Sequence, residues 1–462
     1  MGKFSSFGGK SHEHHHCRRR QSGPYPARQL SAEGHDLTLI DLDNLVLEQT
    51  MEQYDVMGVQ GNCATMSTLE QAGVREADLL IAATNADEVN LLCCMTAHTM
   101  NPKLHTIARI RNPEYSDQIF TMREAFGLSM TVNPENQAAT EIERLLKYPG
   151  FLRRDTFAKG RAEIVELRVD SGSKLCNVSL IEMYRIVKCK VLVCAVLRSG
   201  SATIPGGNFV LREGDRIFVT APTANLTELL KNLGILTRRV RRVILCGGGR
   251  VSYYLAKMLE KDGVNVQLIE QNAARCRQLA AMLPNTCIVQ GDCSSQARLE
   301  TEGISGCDAL VSLTGIDEMN MIISLYAASR GVRQVITKLG RSENSTLAGS
   351  LALGSVICPR ELCSNTIVRY VRAMQNQTGA AVSVHAIADG QAEAVEFLVE
   401  KNSRHCGEPL KSMKLRPNIL IASITRGAGT EIPSGDSRFA PGDTVVVVSE
   451  RGVLRQFNDI FA

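Results

Sequence analysis

VILCGGGRVSYYLAKMLEKDGVNVQLIE (Val243–Glu270) holds the pattern from which the architecture can be read. It opens as an apolar run that reads as a buried strand and passes through three glycines. A helical pattern follows, and then a second apolar strand closed by an acid. Glycines at that place let backbone N–H groups approach a pyrophosphate at the positive end of the helix. Gly247 and Gly249 take the first two positions of a G-x-G-x-x-G loop, with Gly248 between them and Arg250 and Val251 after them. Ser252 stands at the third glycine position, where close helix–strand packing asks for a small residue. Glu270 ends the next strand, where a carboxylate can accept hydrogen bonds from ribose hydroxyls and would repel a 2′-phosphate, favouring NAD over NADP. The order of parts points to an adenine nucleotide. It does not separate NAD(H) from ATP or ADP, which share the adenosine–pyrophosphate portion.

The neighbourhood of this unit occurs twice. Val289–Asn320 reads VQGDCSSQARLETEGISGCDALVSLTGIDEMN, and Val59–Asn90 reads VQGNCATMSTLEQAGVREADLLIAATNADEVN. A period this long marks a duplicated domain rather than a solenoid of short repeats. Each copy runs from an apolar strand ending in an acid (Asp41, Glu270) through a Gly-Asn or Gly-Asp turn (Gly61-Asn62, Gly291-Asp292) to buried strands ADLLIAAT and CDALVSLT. The last strands are HTIARI and QVITKL. Strands alternating with helices at this spacing argue for a parallel, doubly wound sheet. A second repeat follows each sheet: LRSGSATIPGGNFVLREGDRIFV (Leu197–Val219) matches TRGAGTEIPSGDSRFAPGDTVVV (Thr425–Val447). Its Pro-Gly and Gly-Asp turns between strands suggest a small α+β module with hairpins.

The expected class is therefore α/β, with two Rossmann-like parallel-sheet domains, each followed by a small α+β module. The boundaries read 1–148, 149–236, 237–376 and 377–462. The link GILTRRVRR (Gly234–Arg242) reads as a solvated linker rather than a phosphate or lipid patch.

In the first copy the glycine loop looks damaged. Aligning Asp41 with Glu270 sets Cys17 over Cys246 and Arg18–Arg20 over the glycines. Arginine Cβ atoms would block close backbone approach. Strand 1 and its loop are expected to be disrupted within residues 1–23. The codons of HHHCRRR can be written so that a one-base shift reads IIIVGGG, which admits a short frameshift before about Gln21. The other reading is a genuine His/Arg-rich N-terminus with adventitious metal affinity. The rest of the first crevice is intact in sequence: Asp41 at the ribose position, Thr84 and Asn85 past the fourth strand, and Arg109 at the end of the next, able to reach a phosphate. Asp292 and Thr314 complete the second set.

Composition narrows the classes. Net charge is +4 over 462 residues, aromatics are 5% and Trp is absent, so neither a basic face nor a base-stacking surface is indicated and no nucleic-acid partner is expected. No apolar run is long enough to span a membrane. Fifteen cysteines without a C-x-x-C pair read as buried free thiols of a reducing compartment, Cys93, Cys94, Cys194 and Cys287 among them. Cys358 and Cys363 flank a loop and form a weaker candidate redox pair. His385 and His405 look isolated, so no His–carboxylate constellation supports catalysis. An NAD-dependent dehydrogenase with a duplicated nucleotide domain is the competing class, and it needs an acid/base group beside the nicotinamide.

With both repeats in view, the chain resembles TrkA-type regulatory proteins of potassium uptake systems, which carry tandem RCK units. The motifs are LIDLD, GNCA and ATNADEVN in the first half, with CGGGRV, LIEQN, GDCSS and the two IP-x-G…GD hairpins. Departures are Arg18–Arg20, Ser252, and Lys338 in place of Arg109. The resemblance implies a non-enzymatic, cytoplasmic protein, peripheral on the inner face of the plasma membrane. It also implies a homo-oligomeric ring beneath a Trk-type membrane potassium transporter subunit, whose pore is gated by bound nucleotide.

Overall fold

The computed structural model describes residues 3–7, 25–148, 150–235, 240–341, 351, 353–374, 381–454 and 456–462. By contact density the chain divides into two compact units, one of Met1–Gln137 with Pro359–Val368, the other of Ala138–Cys358 with Arg369–Ala462.

The first unit is built on a parallel six-stranded sheet. Its strands are β1 (Lys3–Phe7), β2 (Asp36–Asp41), β3 (Met57–Gln60), β4 (Leu79–Ala82), β5 (His105–Arg109) and β6 (Met130–Val132), in the order β3-β2-β1-β4-β5-β6. This is the doubly wound order in which the crevice opens at the carboxyl ends of the strands. Every residue of β4 is buried, as expected for a strand covered on both faces. The core joins Ile40, Leu80, Ala108 and the helix residues Cys93, Cys94 and Ala97.

The central strand corrects one expectation. Strand 1 is not lost: Lys3–Phe7 fills it, pairing parallel with β2 and β4. Phe7 pairs with Ile40 as Cys246 pairs with Ile269 in the second half. In sequence Gly8 and Gly9 follow it. The arginine triplet, the histidine run and the proposed frameshift lie outside the described residues.

The second unit holds the remaining sheets. The first small module is antiparallel: β7 (Arg153–Phe157), β8 (Ala162–Arg168), β9 (Leu192–Arg198), β10 (Ser201–Thr203) and β11 (Arg216–Ala221), in the order β10-β9-β11-β8-β7. The second parallel sheet has β12 (Arg242–Cys246), β13 (Asn265–Glu270), β14 (Cys287–Gln290), β15 (Ala309–Ser312), β16 (Gln334–Lys338) and β17 (Ser355–Ile357), in the order β14-β13-β12-β15-β16-β17. The second small module comprises β18 (Ala381–Ile387), β19 (Ala392–Leu398), β20 (Ile419–Arg426), β21 (Gly429–Glu431) and β22 (Thr444–Glu450), in the order β18-β19-β22-β20-β21.

Units in space do not follow units in sequence at two helices. Most of the helix after the first sheet, Pro134–Lys147, belongs to the second unit, where the Gln334 side chain donates to the Leu145 carbonyl at 2.7 Å. The start of the helix after the second sheet, Pro359–Met374, belongs to the first unit, where Ser364 Oγ donates to Gln29 Oε1 at 2.7 Å.

The small-module repeats have a structural reason. Asp215 and Asp443 are fully buried, and each takes a two-pronged ion pair from the arginine that recurs with it: Arg198 at 2.7 and 2.7 Å, Arg426 at 2.8 and 2.7 Å. Each carboxylate also accepts a backbone N–H of its own turn, from Arg212 or Ala440. The two modules share one apolar core, in which Phe157, Ala195 and Phe218 pack with Ile387, Ala394 and Val448. His385 is not isolated: it is buried in this core, with Nδ1 3.0 Å from Asp155 and its ring 4.5 Å from Phe157.

Two smaller readings change. Arg242 is the first residue of β12 rather than linker, and Asp308 accepts the N–H groups of Arg241 and Arg242. Cys287 is exposed, whereas Cys93, Cys94, Cys194, Cys358 and Cys363 are buried, and none of these is in a disulfide.

Candidate functional site

The glycine loop of the second sheet is shaped by what each glycine must avoid. Gly247 has φ +103°, a left-handed backbone, and a Cβ there would lie 3.1 Å from the Leu313 carbonyl and the Thr314 Cα. Only glycine meets both demands. Gly248 is buried, and a Cβ would meet Glu270 Oε2 and Leu279 Cδ1 at 2.8 Å each. Gly249 caps the helix Arg250–Lys261 and faces open space, with nothing within 4 Å of the place a Cβ would take. Ser252 is fully buried, and its hydroxyl donates to the Gly247 carbonyl, so serine at the third position closes the turn.

Glu270 sits at the tip of β13, with one carboxylate oxygen accepting the Gly248 N–H at 2.6 Å and the other accepting the Asn272 N–H at 2.7 Å. The Gly291 N–H donates to the Glu270 carbonyl at 2.9 Å, which brings the Gly-Asp turn alongside. Asp292 is exposed, and hydrogen bonds from Ser294 hold its carboxyl below the usual carboxylate range. The Thr314 N–H donates to Asn320 Oδ1 at 2.8 Å, and Lys338 Nζ donates to the Leu313 carbonyl at 3.2 Å. Arg250 is exposed at the start of the helix and Val251 is buried behind it. Gly247, Gly248, Gly249, Glu270 and Thr314 thus converge at the carboxyl ends of the strands. Asp292 and Lys338 stand on adjoining strand ends.

In the first sheet, Asp41 is buried at the end of β2 and accepts the Asp43 N–H at 3.0 Å. Thr84 follows β4, and its carbonyl accepts Arg109 Nη2 at 2.7 Å. Burial is the larger cause, and the charge of Arg111 the next, lowering Arg109 to about 10. Its Nε is buried without a hydrogen-bond partner among the described residues. Asn85 is exposed, and its carbonyl accepts from Arg111. Thr84 and Arg109 therefore meet, while Asp41 lies on the far side of β1 in the strand order.

Sequence reasoning missed two pairs of residues that build these crevices. Asn90 is fully buried: its Oδ1 accepts the Thr84 N–H at 2.7 Å and its Nδ2 donates to the Arg109 carbonyl at 2.8 Å. Asn320 repeats this with Thr314 and the Lys338 carbonyl, at 2.8 and 2.9 Å. Asp87 accepts the N–H groups of Arg111 and Asn112, and Asp317 those of Gly340 and Arg341. The signal was present: both copies carry D-E-x-N, Asp87–Asn90 and Asp317–Asn320.

Two Rossmann-like sheets, each followed by a small antiparallel module, define a tandem RCK architecture. The TrkA-N domain family matches residues 21–134 and 243–359, and the TrkA-C domain family matches residues 164–234 and 394–462. The chain is 33% identical to a Trk system potassium uptake protein TrkA homolog of Archaeoglobus fulgidus, over 93% of this chain and 95% of that one. It is 30% identical to the Trk system potassium uptake protein TrkA of Haemophilus influenzae, over 96% of both. Among solved structures, the GsuK RCK domain superposes with a TM-score of 0.61 at 17% identity, covering 97% of this chain and 92% of that one. The GsuK channel bound to NAD gives a TM-score of 0.59 at 17% identity, covering 97% and 77%. The chain belongs to the TrkA family of Trk-system potassium uptake proteins. No helix among the described residues is long and apolar enough to cross a membrane.

Proposed function

We propose that the chain is the nucleotide-binding regulatory subunit of a Trk-type potassium uptake system, peripheral on the cytoplasmic face of a membrane-embedded pore subunit. One observation carries this reading. The second crevice joins an open-faced Gly249, whose N–H donates to nothing among the described residues, to a carboxylate at the ribose position. An adenosine–pyrophosphate ligand fits that set. Gly249 and Arg250 would hold the phosphates at the helix N-terminus, and Glu270 would take the ribose hydroxyls. Gly247, Gly248, Val251 and Thr314 shape the loop around them, and Asp292 flanks the ribose side. NAD(H) is the preferred ligand because Glu270 repels a 2′-phosphate, and the similar GsuK channel binds NAD. ATP or ADP shares the same contacts. In the first crevice Asp41 would take the ribose, with Arg109, Thr84 and Asn85 on the phosphate side.

A ligand can drive the pore only through unequal affinity for two conformations of the assembly. An assembly of several chains is supported by an apolar pair repeated in both halves. Leu92 and Met95 lie exposed on one helix, and Ile322 and Leu325 at the equivalent places on another. Exposed apolar faces of this kind mark interaction surfaces. We propose a homo-oligomeric ring through these helices.

The test is co-purification with a Trk-type membrane subunit and potassium uptake that responds to NADH. Sustained oxidation of NADH dependent on a small metabolite would instead favour the dehydrogenase reading.

A further inference from the structure

The two peptide units of the glycine loop are pinned by different groups. In the unit joining Gly247 and Gly248, the N–H goes to Glu270 Oε2 at 2.6 Å and the carbonyl accepts from Ser252. In the next unit, joining Gly248 and Gly249, the carbonyl accepts Arg275 Nε at 2.8 Å. Arg275 lies three residues into the helix after β13, half-buried, with its Nη1 on Gln278 at 3.3 Å.

A trans peptide is planar, and its N–H and C=O point in opposite directions. Fixing the Gly248 carbonyl on Arg275 therefore aims the Gly249 N–H away from that helix. That N–H has no partner among the described residues. We propose that Arg275 is a positioning residue of the second nucleotide site, which holds the Gly249 N–H toward the pyrophosphate without touching it. The inference rests on the proposed nucleotide site. Among the described residues the first half shows no counterpart: by the alignment of Asp43 with Asn272 as helix caps, Val46 stands at the place of Arg275. The Val46 side chain has no donor, so among the described residues this clamp is found at the second crevice.

The bond comes from Nε, not from the guanidinium tip, and this allows a sharp test. The side-chain nitrogen of glutamine stands the same number of bonds from the backbone as arginine Nε. Arg275→Gln can keep the hydrogen bond while losing the charge, and Arg275→Met loses both at similar length. The full-length chain carrying Asp41→Ala, introduced to remove the ribose carboxylate proposed for the first crevice, is titrated with ADP and with NADH by calorimetry. Arg275→Met should weaken both ligands by roughly tenfold, the worth of one hydrogen bond to a charged group, and Arg275→Gln should stay within about threefold of the parent. Unchanged affinity in Arg275→Met overturns the proposal, as does an equal loss in both variants, which would mean that the charge itself contacts the ligand. Glu270→Ala in the same background separates the two failures. If it too binds like the parent, the nucleotide site is misplaced. If it weakens binding while Arg275→Met does not, only the role of Arg275 falls.

Discussion

Asn320 reaches across the crevice to Lys338: its Nδ2 donates to the Lys338 carbonyl at 2.9 Å while its Oδ1 accepts the Thr314 N–H at 2.8 Å. The side chain is fully buried and ties the ends of two adjacent strands to one helix. Asn90 does the same for Thr84 and Arg109. Removing such an amide takes this partner from a part-buried N–H and a part-buried carbonyl, at roughly 1–2 kcal/mol for each group. Asn320→Ala should lower the unfolding free energy by about 3 kcal/mol and weaken nucleotide binding, read by denaturant titration and calorimetry. Full stability in this variant would contradict the strut role.

The glycines should separate folding from binding. Gly249→Ala places a methyl group in open space, so its thermal midpoint should match that of the parent while NADH affinity drops. Gly248→Ala drives a methyl group against Glu270 and Leu279. Overpacking of that kind costs typically about 1–3 kcal/mol, so both stability and affinity should fall. Equal effects of the two substitutions would mean that the loop is not shaped as described.

Glu141 gives a pH signature. Burial raises its carboxyl to about 7, against the opposing charge of Arg144. A carboxylate with a raised folded pKa destabilises the fold once it ionises. Its penalty is absent below the unfolded value near 4.5, grows as pH rises, and is complete above about 7. Glu141→Gln should therefore raise the thermal midpoint at pH 8 and leave it nearly unchanged at pH 4.5. The opposite order would show a carboxylate stabilised by its arginines. Asp155 behaves in the other sense. Burial works against its ionised form, but Arg153 and His385 outweigh burial and hold it near 2. Its contribution should persist down to about pH 4 and be lost between there and pH 2.

Arg198 and Arg426 should matter for folding rather than for ligand. Each is the two-pronged partner of a buried aspartate while its own guanidinium stays partly exposed, so removing it should cost about 1.5–3 kcal/mol. Arg198→Met should destabilise by roughly 3 kcal/mol with nucleotide affinity per folded chain unchanged. A selective loss of binding would move these arginines to the ligand.

The legible part of the fold was the part written in long apolar runs. ADLLIAAT and CDALVSLT are buried on both faces and can hardly be read otherwise, and the repeat fixed their order. The glycine loop was legible because positive φ and close approach admit so few residues. β1 was not legible. Lys-Phe-Ser-Ser-Phe is short and polar for a central parallel strand, and Phe7 precedes Asp41 by ten residues more than Cys246 precedes Glu270. An alignment without a gap therefore sets arginines over the place of the glycines. Asn90, Asn320 and Arg275 were missed for another reason: polar residues on helices look like solvated faces until the fold turns them inward. His385 looked isolated because Asp155, its partner, is 230 residues away.

The second crevice is proposed to bind an adenine dinucleotide in order to regulate rather than to react. The direct measurement titrates NADH into the full chain carrying Asp41→Ala, with and without Glu270→Ala, and follows NADH absorbance with a panel of carbonyl compounds present as hydride acceptors. Saturable binding by the parent, binding weakened at least tenfold by Glu270→Ala, and no steady consumption of NADH are expected. Equal affinity in the two chains, or continued turnover, would contradict that role.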